Sequence, residues 1–118
     1  MKDKLELGNL DSYRDWGHAK DYVKAMHKII NHEIADDFVV STMKTHSVRD
    51  MTKYVFDSLG LNYKDFVVQN EIFIRPEELK YLKGDSTKTR TILDWKPEYT
   101  FESMLDEMVE HWYNYFKK

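Results

Sequence analysis

Residues 8–26 read GNLDSYRDWGHAKDYVKAM, and the rest of the chain is organised around this stretch. Its first part is turn-prone, with Gly8, Asn9, Asp11 and Ser12 close together. It delivers Arg14 beside Trp16 and then runs into an amphipathic helix through Asp21 and Tyr22. Arg14 is therefore expected near a helix start, where free N–H groups and the positive end of the helix dipole favour an anion. An arginine added there suits a phosphate. From about Gly17 the apolar residues Ala19, Tyr22, Val23, Met26 and Ile30 follow helical spacing, which predicts one buried helical face.

Upstream, the alternation of Leu5 and Leu7 predicts a short strand entering the Gly8-Asn9 turn, and the chain starts abruptly, as if cut. Downstream, Phe38-Val39-Val40 predicts a buried strand. Val48, Met51, Val55 and Leu59 form a second helical stripe, with Ser47 as N-cap, Asp50 in a capping-box position and Gly60 as the stop. The runs at 66–68 and 72–74 are β-prone, and Arg75-Pro76 ends the second, because proline cannot continue a central strand. Asp85 is expected to cap a short helix through Ile92-Leu93, which Trp95-Lys96-Pro97 breaks. A last helix starts from a Thr100 cap, with Phe101, Met104, Leu105, Met108, Val109 and Trp112 inward. Helices alternating with short strands predict one small mixed α/β domain, with too few strands for a doubly wound sheet.

Composition narrows the function classes. The 118 residues are 42% hydrophobic and 14% aromatic, and no apolar run approaches the roughly 20 residues of a membrane span. No membrane partner is expected. With no cysteine there are no disulfides, thiolate metal sites or cysteine nucleophile, and the N-terminal secretory pattern is missing, which points to a cytoplasmic setting. Eighteen basic against 21 acidic residues give a net charge of −3 without a Lys/Arg block, so nucleic acid is not an expected partner.

Three residues stand out as candidates for ligand binding. The guanidinium of Arg14 matches phosphate oxygens bidentately. In RPEE, Pro76 fixes the backbone just after the β-prone run, so Arg75 and Glu78 can project from one loop towards one ligand. Arg49 is read as solvated, opposite the apolar stripe of its helix. Tyr113 and Lys117 make the Y-x-x-x-K spacing of a dehydrogenase pair, but no cofactor fold surrounds them. His32-Glu33 is followed by Asp36 where a zinc motif needs its second histidine, so no metal site is expected.

The RDW segment, its small residue Gly17 and the DYV helix resemble the substrate lobe of extended short-chain dehydrogenase/reductases, and within that superfamily the GDP-mannose 4,6-dehydratase family. The resemblance runs from about Lys4 to about Val109 and implies a substrate-binding lobe over residues 1–118. In that family Arg75, Pro76 and Glu78 match a segment of Arg-Pro, any residue, then Glu. The resemblance places Arg14 and Arg75 on the diphosphate of GDP-mannose and Glu78 on the ribose hydroxyls. It covers only the carboxyl-terminal part of such an enzyme, so the chain is read as a fragment lacking the NADP-binding half. The glycines stand at 8, 17, 60 and 84, so no G-x-G-x-x-G loop exists, and NADP is expected only in the complete enzyme. No catalytic residue of the family maps onto the chain, and the lobe alone is expected to be inactive. Two rivals remain open: the same lobe of another nucleotide-sugar dehydratase, epimerase or reductase, and a non-catalytic module that kept the fold. An apolar patch left by the missing half predicts self-association into a homo-oligomer.

Overall fold

The computed structural model describes residues 3–117. In chain order the elements are β1 (Leu5–Leu7), β2 (Tyr13–Arg14), α1 (Ala19–Ile30), β3 (His46–Ser47), α2 (Val48–Ser58), β4 (Val67–Gln69), α3 (Thr87–Ile92) and α4 (Phe101–Lys117). They make two separate two-stranded sheets. β1 pairs with β4 in parallel, Leu5 against Val67 and Leu7 against Gln69. β2 pairs with β3 antiparallel, Arg14 against His46, and on its other side Tyr13 bridges Tyr81. The mixed α/β class expected from the alternation is what the chain forms.

Local signals explain the helix ends. Ser47 and Asp50 close a complete capping box at the start of α2, and Gly60, at φ +72°, supplies the left-handed residue that follows its end. At α4, Thr100 Oγ1 accepts the Ser103 amide at 3.0 Å while Ser103 Oγ accepts the Thr100 amide at 2.8 Å. Asp85 anchors Thr87 through its amide and hydroxyl, although Ser86 occupies the cap position of α3.

Two expected strands are not strands. Residues 38–40 find no ladder; the Val39 carbonyl is taken by Thr89 Oγ1 and the Asp37 carbonyl by Lys88 Nζ. Asn70 caps a single 3₁₀ turn at Glu71–Phe73 by accepting the Ile72 amide at 3.1 Å, which diverts this backbone from sheet pairing.

Two helix faces also depart from the periodic reading. α1 buries Asp21 and Ala25 and leaves Val23, Met26 and Ile30 exposed. The cause is polar: Asp21 accepts the Glu98 and Tyr99 amides at 3.0 and 3.1 Å, and its carbonyl takes the Trp95 indole N–H at 2.9 Å. That anchor turns the apolar stripe outward. α4 buries Met104 and Leu105, but Met108 and Trp112 stay half exposed, because α2 ends at Ser58 while α4 continues to Lys117.

The main core cluster is Leu10, Tyr63 and Val67, with Leu7, Val48 and Phe56 packed against it. The molecule is a plate of 53 × 40 × 18 Å, and its 9021 Å² of accessible surface exceeds by roughly 2,200 Å² what a compact monomer of this mass exposes. No described helix is long and apolar enough to cross a membrane.

Candidate functional site

β2 is the spine of the site. Tyr13 donates its amide to the Lys80 carbonyl at 2.8 Å and accepts the Leu82 amide at 3.1 Å, so the segment after the RPEE turn returns alongside β2. This return brings Glu78 to Arg14: Nη2 lies 3.6 Å from Glu78 Oε1, and both side chains are about three-quarters buried. Arg14 also donates through Nη1 to the Tyr13 carbonyl at 2.7 Å. Arg75 opens the turn, which is closed by the Glu78 amide on its carbonyl at 3.3 Å; it is exposed, with no carboxylate partner among the described residues. The structure thus joins Arg14 to Glu78 and holds Arg75 at the other end of the same four-residue turn.

The helix-start placement of Arg14 needs correction. Arg14 lies on β2, five residues before the first residue of α1, and His18 caps that helix by accepting the Lys20 amide on Nδ1. No helix terminus lies at Arg14, so its guanidinium has no helix dipole beside it. Arg49 is also more engaged than a solvated residue: Nε lies 3.2 Å from Asp11 Oδ1 and Nη1 3.4 Å from Tyr63 Oη, which pins α2 to the turn before β2.

Beside Arg14 opens a cleft of about 420 Å³ lined by Asp15, Trp16, Leu82, Lys83 and Gly84. Asp15 ties its walls together. One carboxylate accepts the Thr42 and Met43 amides at 3.0 Å each and the Gly84 amide at 3.3 Å. Met43 sits in the left-handed region at φ 64°, unusual for a residue with a side chain, and the Asp15 bond helps hold it there. A Cβ at position 84 would come within 2.4 Å of the Ser41 Cβ, so only glycine lets these segments approach. Around the cleft, His46 stacks on Phe101 at 3.7 Å, and Trp16 stacks on the same ring at 6.1 Å.

Three titrating groups are displaced near this region. Burial, followed by the negative charges of Asp15 and Asp21, pushes the Tyr22 phenol above its ordinary value. The Lys20 hydrogen bond holds Glu107 below the usual carboxylate range, and the same bond raises Lys20.

Reasoning from residue types missed Asp15, Met43, Lys83 and Gly84. The partners of Asp15 lie 27, 28 and 69 positions away, so no local spacing announces them. The Y-x-x-x-K pair lies on the exposed end of α4, where the Lys117 ammonium sits over the Tyr113 ring at 5.8 Å.

Known proteins share this fold. A 22% identical structure of RMD from Pseudomonas aeruginosa, complexed with NADPH, superposes with a TM-score of 0.84 over 98% of this chain and 37% of that one. UDP-glucose 4-epimerase from Thermotoga maritima, 21% identical, superposes at 0.83. These likenesses show a fold shared with part of each of those two proteins. By sequence, the chain is 43% identical over 110 residues to GDP-mannose 4,6 dehydratase 2 of Arabidopsis thaliana, covering 93% of this chain and 30% of that protein. It is 38% identical over 122 residues to the human GDP-mannose 4,6 dehydratase, covering 33% of it. The chain therefore spans about a third of the length of these relatives. The family model for GDP-mannose 4,6 dehydratase matches residues 1–108, the span that holds both the Arg14–Glu78 pair and the cleft beside it, and the chain belongs to that family.

Proposed function

We propose that this chain is the substrate-binding portion of a GDP-mannose 4,6-dehydratase, holding the nucleotide diphosphate while the reaction on the hexose occurs elsewhere. The observation that carries this reading is the meeting of Arg14 and Glu78 across a long stretch of chain, with Arg75 on the same turn. Arg14 and Arg75 supply two forks for the diphosphate oxygens. Glu78 engages Arg14 through one oxygen, and a carboxylate has a second that can accept a ribose hydroxyl. Lys83, on the cleft wall, adds positive charge to the same side.

The residues present do not fit NADP. The four glycines form no G-x-G-x-x-G loop, and the parallel pair β1–β4 is not followed by a glycine-rich turn into a helix. Hydride chemistry is therefore assigned to the two-thirds of the relatives that this chain does not span, and this portion contributes position. In the complete enzyme the reaction would oxidise the sugar at C4, eliminate water across C5 and C6 and return the hydride to C6.

Titration of GDP-mannose, UDP-glucose and dTDP-glucose against the chain, followed by NMR, tests the assignment. Expected is preferential binding of GDP-mannose, with a dissociation constant of the order of 1 mM, perturbing Arg14, Arg75 and Glu78 together. Glu78→Gln should weaken it while Glu77→Gln, an exposed neighbour in the same turn, should not. Equal losses for the two variants, or no shifts at these residues, would sink the assignment.

A further inference from the structure

Between α1 and the segment that follows α3 lies a second cleft, of about 570 Å³, whose charge is opposite to that of the whole chain. The chain carries a net charge of −3, yet Lys24, Lys28, Arg90 and Lys96 line this cleft against only Asp94 and Glu98. Lys24 and Lys28 stand one turn apart on α1, so both reach the same neighbouring segment. Lys24 pairs with Glu98, Nζ to Oε2 at 2.9 Å. The other cations are held by neutral acceptors. Lys28 Nζ donates to the Leu93 and Asp94 carbonyls at 3.1 and 2.8 Å. Arg90, half-buried, donates through Nε to Ser86 Oγ and through Nη2 to the Thr42 carbonyl, each at 3.0 Å. Its Nη1 has no acceptor among the described residues, and Lys96 has no ion-pair partner among them. Trp95, 3% exposed, fixes residues 94–96 by donating its indole N–H to the Asp21 carbonyl at 2.9 Å. Capping the end of α3 accounts for Lys28, since cations suit the last carbonyls of a helix, but it leaves Lys96 and the free edge of Arg90 uncompensated.

We propose that this cleft binds a small phosphorylated anion, phosphate or diphosphate, between Lys28, Arg90 and Lys96. A guanidinium edge and two ammonium groups around one opening are the donor set that phosphoryl oxygens match. The buried Trp95 ring offers no open face to a nucleobase, so the phosphoryl group itself is the part recognised. The site is separate from the cleft beside Arg14. Thr42 stands between the two, its amide on Asp15 and its carbonyl on Arg90.

Titration of the full chain with pyrophosphate, orthophosphate and GDP at low salt, followed residue by residue in NMR spectra, decides this. The Trp95 indole N–H and the Lys96 amide should shift and saturate with pyrophosphate at a dissociation constant of the order of 1 mM. They should do so equally in Arg14→Ala, because a diphosphate held at Arg14 occupies the other cleft. Lys96→Glu, at an exposed position, should weaken pyrophosphate about tenfold with the circular dichroism unchanged, and raising the salt should weaken it further. GDP should bind here no more tightly than pyrophosphate. Signals at 94–96 that do not move, that stop moving in Arg14→Ala, or that respond equally in Lys96→Glu each overturn the proposal. Tighter binding of GDP than of pyrophosphate at these signals also overturns it, since the base would then be recognised.

Discussion

Arg14 ends β2 and Asp15 follows it directly, yet the two do different work. The Arg14–Glu78 pair is spread over 3.6 Å and a quarter solvated, so it adds little to stability, under ~1 kcal/mol. Arg14→Ala should therefore leave the unfolding midpoint nearly unchanged while costing roughly 1.5–3 kcal/mol of GDP-mannose affinity, and Arg14→Lys, which keeps the charge but loses the fork, should recover only part of it. Calorimetry beside thermal melts separates the two effects. Asp15 behaves in the opposite way. Its carboxylate satisfies three backbone amides from two distant loops, so Asp15→Asn leaves donors facing a donor and should cost about 2–3 kcal/mol in urea denaturation. Met43 gives a backbone check on the same knot: Met43→Val should be less stable than Met43→Gly by about 1–2 kcal/mol, since a β-branched residue tolerates the left-handed region worst.

At the scale of elements, caps and anchors decide where each helix begins and which way it faces. Ser47→Ala removes one side of the α2 capping box and should lower stability by about 1 kcal/mol, read from the urea midpoint with an unchanged slope. α1 carries a pH signature. Its Tyr22 phenol has its pKa raised above 10.0 in the fold by burial and by Asp15 and Asp21, so the folded state keeps a proton that the unfolded chain has released. That contribution is complete below pH 10.0 and is lost as pH rises through the folded value. Tyr22→Phe should accordingly flatten the alkaline fall in stability while leaving the acid limb alone. The acid limb has its own contributor in Glu107. Lowered below 4.5 chiefly by Lys20, it stabilises the fold above that pH, and the effect fades as pH falls through the folded value.

The whole molecule is a thin plate with a small apolar core and a broad exposed apolar surface. Little surface is hidden by folding, so the urea slope should fall near the low end for domains of this size, about 1 kcal/mol/M. The sequence by itself determined the mixed α/β class, the positions of β1, β4 and the four helices, and the family, because periodicity, caps and the RDW and RPEE segments are properties of neighbouring residues. It also pointed to Arg14, Arg75 and Glu78 through the resemblance those segments carry. Tertiary structure alone decided that 38–40 and 72–74 are not strands, since a strand exists only where another chain segment offers it a ladder. It alone decided that α1 turns its apolar stripe outward, because the amides that Asp21 must satisfy come from residues 98 and 99. And it alone joined Arg14 to Glu78 and Asp15 to Gly84, pairings between groups far apart in the chain whose meeting depends on how β2 and the returning segment lie together.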